Sequence, residues 1–420
     1  MKIKMQIPDA VILISIASTT LYIASRNFGK VVGSFAFLWA PITLLIIFSL
    51  RPDSFTKGPI KILLFYGFLI VGLFQYLLWN HMDEFNQTRI LFEFYYLLVL
   101  IAIFNFYTIP KKYNKLAWLG EWTFKFIIIT LLLTNISLFF DSEIVREAAR
   151  TDDFSKLQSI LYYRGGTMSF AFAQSVIFLI PILIYHIKSK MYMVFSPRIL
   201  TVILVIIIIT EFRSQVFANI IVTSVVTVLS LAAFRSRNNL SFLVLLIIFV
   251  TLMSVPIPFY SSFLNSLSTY FNPNSVISSK LTDFAGFIDN PELDSSTGTG
   301  RRASRYPMLL EALLSNPFFG DASYSSGFQI LGGAHLYWMN RLAIWGIPTF
   351  TFFIYMLFRI FKRISYLFDK SFVFYYTLSL GAFILMGLTK AIGGVEPWLI
   401  LIVIIPGLYF SSMLDRRNAN

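Results

Sequence analysis

The chain has 420 residues, 57% of them hydrophobic and only 13% charged, and a mean hydropathy of +0.72. Soluble domains carry about 25% charged residues, and a soluble surface could not hide this much apolar side chain, so the surplus is predicted to face lipid. The net charge is +13 with no cysteine. Because Lys and Arg sit in short segments between apolar runs and build no basic domain, nucleic-acid binding is not expected, and disulfides, thiolate catalysis and Cys-based metal sites are excluded.

In chain order, twelve apolar runs reach spanning length, near 8–25, 31–49, 62–79, 90–107, 124–140, 167–186, 199–211, 215–233, 240–257, 336–358, 371–389 and 397–413. The expected fold is therefore an all-α polytopic membrane protein. Helices are required because every backbone N–H and C=O in lipid needs an internal partner. A β-barrel would show alternating segments instead of continuous runs. The first run lacks a small-residue cleavage pattern and is expected to be a retained helix. The seventh and eighth runs divide at Glu211-Phe212-Arg213.

Positive-inside counting orients the map. With both termini cytoplasmic, 20 of the 34 Lys and Arg and five of the 21 acids fall inside. The inner side then carries +15 and the remainder −2, against Arg26 and Lys30 as a local exception. Two outer loops are long, about 141–166 and 258–335. The second is too long for a connector and is expected to be functional. The organisation is thus nine spans over 1–257, an outer loop over 258–335, and three spans with a cytoplasmic tail over 336–420.

Within that loop, Asp294–Gly300 is polar and rich in Ser, Thr and Gly. Next, Tyr306, Leu309, Leu310, Leu313 and Leu314 recur with helical spacing. Asn316-Pro317 is the predicted stop. An amphipathic helix lying over the outer mouth of the bundle is expected.

The chain lacks a DxD pair for a metal–nucleotide sugar, a P-loop, an HExxH and a GxGxxG. Three histidines without cysteine argue against zinc, and no cofactor is expected. What stands out is a set of ionisable residues on the outer side: Arg164 before Gly165-Gly166, Arg213 beside Glu211, the group Arg301, Arg302 and Arg305, and His335. Ionisable groups near a bilayer invite a functional hypothesis. Each also has a structural reading. Arg164 and Arg213 can snorkel to headgroups, the three loop arginines can form a solvated helix face, and His335 can be an interfacial hydrogen-bonding residue. Arg341 and Lys390 are expected to snorkel, Glu93 and Glu396 to be buried hydrogen-bond partners, and His81 and His186 to be loop residues.

Spacing adds a further reading. Arg302, Tyr306, Pro317 and Gly320 follow one another at intervals of four, eleven and three residues. His335, Met339, Ala343 and Gly346 stand four, eight and eleven residues from the histidine. Together these patterns resemble the O-antigen polymerase and O-antigen ligase superfamily. Phe212-Arg213-Ser214 is similar to that family's Ser-Arg element, and Arg164-Gly165-Gly166 to its Arg/Gly element. The chain departs from the family at Leu336, where Asn is usual, at Phe212 in place of Ser, and at Tyr306 in place of Trp.

The resemblance implies glycosyl transfer at the outer face of a bacterial inner membrane, from an undecaprenyl-diphosphate-linked oligosaccharide. Arg213 and Arg302 with His335 would be catalytic, and Arg164, Arg301, Arg305 and Tyr306 would bind substrate. Guanidinium forks suit a diphosphate leaving group, and an imidazole suits proton removal from the acceptor hydroxyl. Membrane lipid and a chain-length-regulating membrane protein are the further expected partners. A ligase, transferring polymer to a lipid core, shares the same donor chemistry. The loop carries little basic charge for docking a phosphorylated core lipid, which favours the polymerase. A flippase would place ionisables deep in the spans and often shows paired repeats. A structural scaffold for a polysaccharide complex would tolerate every Arg and His change.

Overall fold

A computed structural model describes residues 6–24, 40–58, 60–65, 67, 84–140, 170–189, 195–213, 217–235, 257–271, 276–289, 305–321, 336–390, 392 and 395–419. Among them every regular element is a helix. Among the described residues five helices are long and apolar enough to cross a membrane: Tyr113–Ile136, Phe172–Ser189, Tyr337–Ser365, Lys370–Thr389 and Val395–Leu414. Shorter apolar helices include Pro197–Arg213 and Phe217–Arg235. The run expected at 240–257 lies almost wholly outside the described residues.

Helix ends differ from the hydropathy reading where polar turns find partners. The helix expected from 124 begins at Tyr113. Its polar first turns are held by neighbours: Lys115 Nζ is 2.6 Å from Asp9, Tyr113 stacks on Phe410 at 4.4 Å, and Ser411 donates to Glu121. The helix expected to stop at 358 runs to Ser365, carrying Arg359, Lys362 and Arg363.

These contacts fix helix directions. Asp9, Tyr107, Lys115, Asp369 and Tyr409 gather at one end, where Tyr107 donates to Asp9 and Asp369 N to Tyr409. Asn105 on the same end donates to the Ser54 carbonyl, and Arg363 to the Lys57 carbonyl. This is the basic end. At the far end Asn135 meets Thr210, Glu93 meets Arg341, and Tyr337 N donates to the Lys390 carbonyl.

Helix 395–419 is central. Of its most apolar window 89% is buried, against 44% for helices 337–365 and 370–389, which therefore lie at the perimeter. It crosses helix 113–140 at a glycine pair, and a Cβ on Gly120 would stand 2.6 Å from the Gly407 Cα. Three prolines break helical regularity at defined places. Pro181 follows a 3-10 turn at Ile177–Leu179, and Pro406 follows a π turn at Ile400–Ile404. Each proline lacks an N–H and its ring crowds the carbonyl four residues back. Pro348 lies just past a kink at Gly346.

His186 is not a loop residue. It is fully buried in helix 180–189 between the rings of Tyr185 and Phe372. The region expected as a single outer loop also holds helices Ile257–Ser268 and Val276–Asp289, which pack on each other with Ser278 donating to the Ser268 carbonyl.

Candidate functional site

Helix Arg305–Ser315 is the expected loop helix, and it ends where Asn316-Pro317 predicts. Asn316 terminates it by accepting from the Phe319 N–H on its side chain and from the Gly320 N–H on its carbonyl. The buried face differs from the expected one. Arg305, Leu309, Ala312 and Leu313 are buried, while Leu310 and Leu314 are exposed. Leu309 and Ala312 pack with Leu336, Met339 and Ala343 at the start of helix 337–365. Tyr306 reaches over to helix 370–389, where its hydroxyl donates to the Leu388 carbonyl at 2.7 Å. Burial raises the Tyr306 pKa above its ordinary value.

The two spaced patterns meet at a backbone joint. Ile347 N donates to the Pro317 carbonyl at 2.8 Å and Asp321 N to the Ala343 carbonyl at 3.0 Å. Gly320 and Gly346 face each other between these bonds with φ of 74° and 71°. A Cβ on Gly320 would strike the Ile344 carbonyl, and one on Gly346 the Phe318 carbonyl. Glycine is required at both positions by the left-handed φ and by the close approach. Pro317, Gly320, Ala343 and Gly346 thus build the seat of the loop helix.

A buried polar cluster fixes the same end. Glu93 accepts from the Tyr337 hydroxyl and from Arg341 Nη2. The Arg341 guanidinium lies 3.6 Å from the Tyr337 ring centroid and 5.4 Å from that of Trp345. Arg341 and Lys390 are buried and do not snorkel, because the far end of helix 337–365 is covered by protein. Glu93 has the hydrogen-bonding role expected of it. Trp338 packs on helix 370–389, donating to the Ile384 carbonyl beside Gly387, which leaves room for the indole. Sequence spacing could not pair Glu93 with Arg341, since 248 positions separate them. The available signal was charge inside an apolar run.

The sequence-predicted residues divide as follows. Arg305 is 4% exposed and opens the loop helix from within, so it is not part of a solvated face. Tyr306 is half-exposed beside it. Arg213 is half-buried at the last turn of helix 197–213. Two residues before it, Glu211 is fully buried and accepts from Asn219 at 2.7 Å. Arg164, Arg301, Arg302 and His335 lie outside the described residues. In sequence, Arg302 stands three residues before Arg305 and His335 one residue before Leu336. The structure brings those two described flanks together through Leu309 and Leu336. Among the described residues no group of His, Asp and Glu has the proximity to hold a metal ion.

No protein-family model matches the chain, and no curated protein does.

Proposed function

We propose that the chain is a membrane glycosyltransferase. It polymerises undecaprenyl-diphosphate-linked oligosaccharide repeat units at the outer face of a bacterial inner membrane. In this reading the bundle has twelve spans with both termini cytoplasmic, and the far end faces outward. The observation that carries it is the joint of Gly320 on Gly346. It packs Gly320, eighteen residues after Arg302, onto Gly346, eleven residues after His335.

The chemistry is a substitution at the anomeric carbon. The acceptor hydroxyl oxygen forms the new C–O bond, the bond to the diphosphate oxygen breaks, and the diphosphate leaves with the electron pair. Arg302, Arg213 and Arg164, with Arg301 and Arg305 as neighbours, hold that developing charge, since guanidinium binds phosphate oxygens bidentately and stays ionised. His335 takes the acceptor proton, a contribution of roughly 10²–10⁴-fold. Tyr306 borders the sugar side.

The test is purified protein in lipid with an undecaprenyl-diphosphate repeat unit, without nucleotide or divalent metal. A ladder of products is expected, and Arg302→Ala or His335→Ala should abolish it with expression unchanged. Absence of transfer, or normal polymer from both variants, overturns the reading. A strict requirement for a core-like acceptor would assign a ligase instead.

A further inference from the structure

A second candidate site lies at the opposite end and is independent of the glycosyl-transfer reading. Helices 337–365 and 370–389, both at the perimeter, do not close against each other along their outward faces. Between them runs an apolar groove of about 1080 Å³. Phe350, Ile354 and Phe361 line one wall, and Leu380 and Ile384 line the other. The groove extends from Trp338 and Leu388 at the far end to Lys362 and Lys370 at the basic end.

There it borders a second cavity of about 770 Å³, and Phe358, Lys362 and Tyr366 form the wall that the two share. Four cations, Lys61, Arg359, Lys362 and Arg363, line this second cavity, and among the described residues no carboxylate does. Three of them make contacts with neutral groups. Arg359 donates to the Tyr355 hydroxyl, Arg363 to the Lys57 carbonyl, and Lys362 lies over the rings of Phe358 and Tyr366. The nearest described acids are engaged elsewhere. Asp53 pairs with Lys57, and Asp369 caps helix 370–389 through Phe372 N and accepts from Ser371. Gly58 permits this arrangement. Its φ is 75°, and a Cβ there would occupy the place of the Arg363 guanidinium.

We infer that the groove and the basic cavity together form a binding site for an anionic phospholipid, with its acyl chains between helices 337–365 and 370–389 and its phosphate among Lys61, Arg359, Lys362 and Arg363. Charge complementarity selects the headgroup, since four cations around one cavity, with no carboxylate among its described lining residues, are relieved by a phosphate. Basic pockets between membrane helices at a polybasic end favour anionic lipids for this reason. The apolar groove directly beside the basic cavity, across the shared wall of Phe358, Lys362 and Tyr366, selects a lipid over a free anion.

The test uses the full chain purified in detergent, with tetraoleoyl diphosphatidylglycerol and dioleoyl phosphatidylcholine as probes, read by native mass spectrometry and thermal melting. The wild type should prefer the anionic lipid by about tenfold or more, on the scale of surface Lys and Arg contributions. The variant Lys61→Gln/Arg359→Gln/Lys362→Gln/Arg363→Gln should lose that preference. The equally neutralised variant Lys57→Gln/Lys111→Gln/Lys112→Gln/Lys188→Gln should keep it. Leu380→Trp, which fills the groove without touching charge, should weaken both lipids. Where the fourfold variant fails to fold, Gly58→Ala, which displaces Arg363, reads the same cavity. The inference is overturned if the wild type does not discriminate, if the control variant loses as much as the cavity variant, or if millimolar inorganic phosphate displaces the lipid completely.

Discussion

The two ends of the bundle use the same residue types in opposite ways. At the far end Arg305, Arg341, Lys390, Glu93, Glu211 and Glu396 are all buried, each under 9% exposed. At the basic end Lys57, Lys61, Arg359, Lys362 and Lys370 are exposed, and the buried Asp9, paired with Lys115, is the exception there. A buried charge is tolerated only with a partner and hydrogen bonds, so far-end charges lock helices together. An exposed charge contributes little to stability and is free to meet lipid or solvent. Lys112 at the basic end shows the crowding: burial, with Arg51 and Lys115 nearby, lowers its pKa. The difference predicts an end that resists substitution and an end that accepts it.

The largest effect should come from splitting the buried pair. Glu93→Gln leaves the Arg341 guanidinium buried beside a neutral amide and should cost about 3–5 kcal/mol. Thermal melting in detergent reads this, and the double variant Glu93→Leu/Arg341→Met should recover much of it. A melt unchanged by Glu93→Gln would erase the contrast between the ends. Gly346→Ala comes next. The left-handed φ costs roughly 1–2 kcal/mol and the collision with the Phe318 carbonyl about as much again, so folded yield on gel filtration should fall while Gly381→Ala, with open space at its Cβ, leaves it intact.

Tyr306→Phe removes one hydrogen bond to the Leu388 carbonyl and should cost about 1 kcal/mol. The Tyr306 pKa is raised on folding. Its contribution is therefore complete below the ordinary tyrosine range and declines as pH rises through the folded value, so the gap between wild type and variant should narrow only in strongly alkaline melts. Smallest is Asp53→Asn. Lys57 Nζ lies 2.5 Å from Asp53, but both side chains are 58% exposed, so the loss should stay below about 1 kcal/mol. A larger loss would mean that exposed ion pairs at the basic end hold the fold as the buried Asp9–Lys115 pair does.

The all-helical class was legible in the sequence from its continuous apolar runs, and five of the described helices are long and apolar enough to cross a membrane. The run expected at 371–389 falls on helix 370–389, and the stop at Asn316-Pro317 falls at the end of helix 305–315. The face of that short helix was not legible. Leu309 and Leu313 point into protein while Leu310 and Leu314 do not, and a membrane and a protein core are equally apolar, so hydrophobic spacing cannot separate them. Arg341 read as a snorkelling residue because its partner is far away in sequence and because what covers a helix end is a tertiary fact. The spacing of Pro317, Gly320, Ala343 and Gly346 was visible as a pattern, but its cause, two backbones in contact, is visible only in three dimensions. For the candidate site, Arg305 and Tyr306 open the loop helix and Arg213 ends helix 197–213, and the sequence could not have shown that Arg305 is buried.

The glycine joint bears on how the loop can be transplanted. Each of its two backbones occupies the space a side chain would need on the other. A chimera that imports residues 305–321 from another chain, without the matching turn around 346, would join two halves cut to different templates. Swaps that move both segments as one cassette should assemble, and swaps that divide them should not.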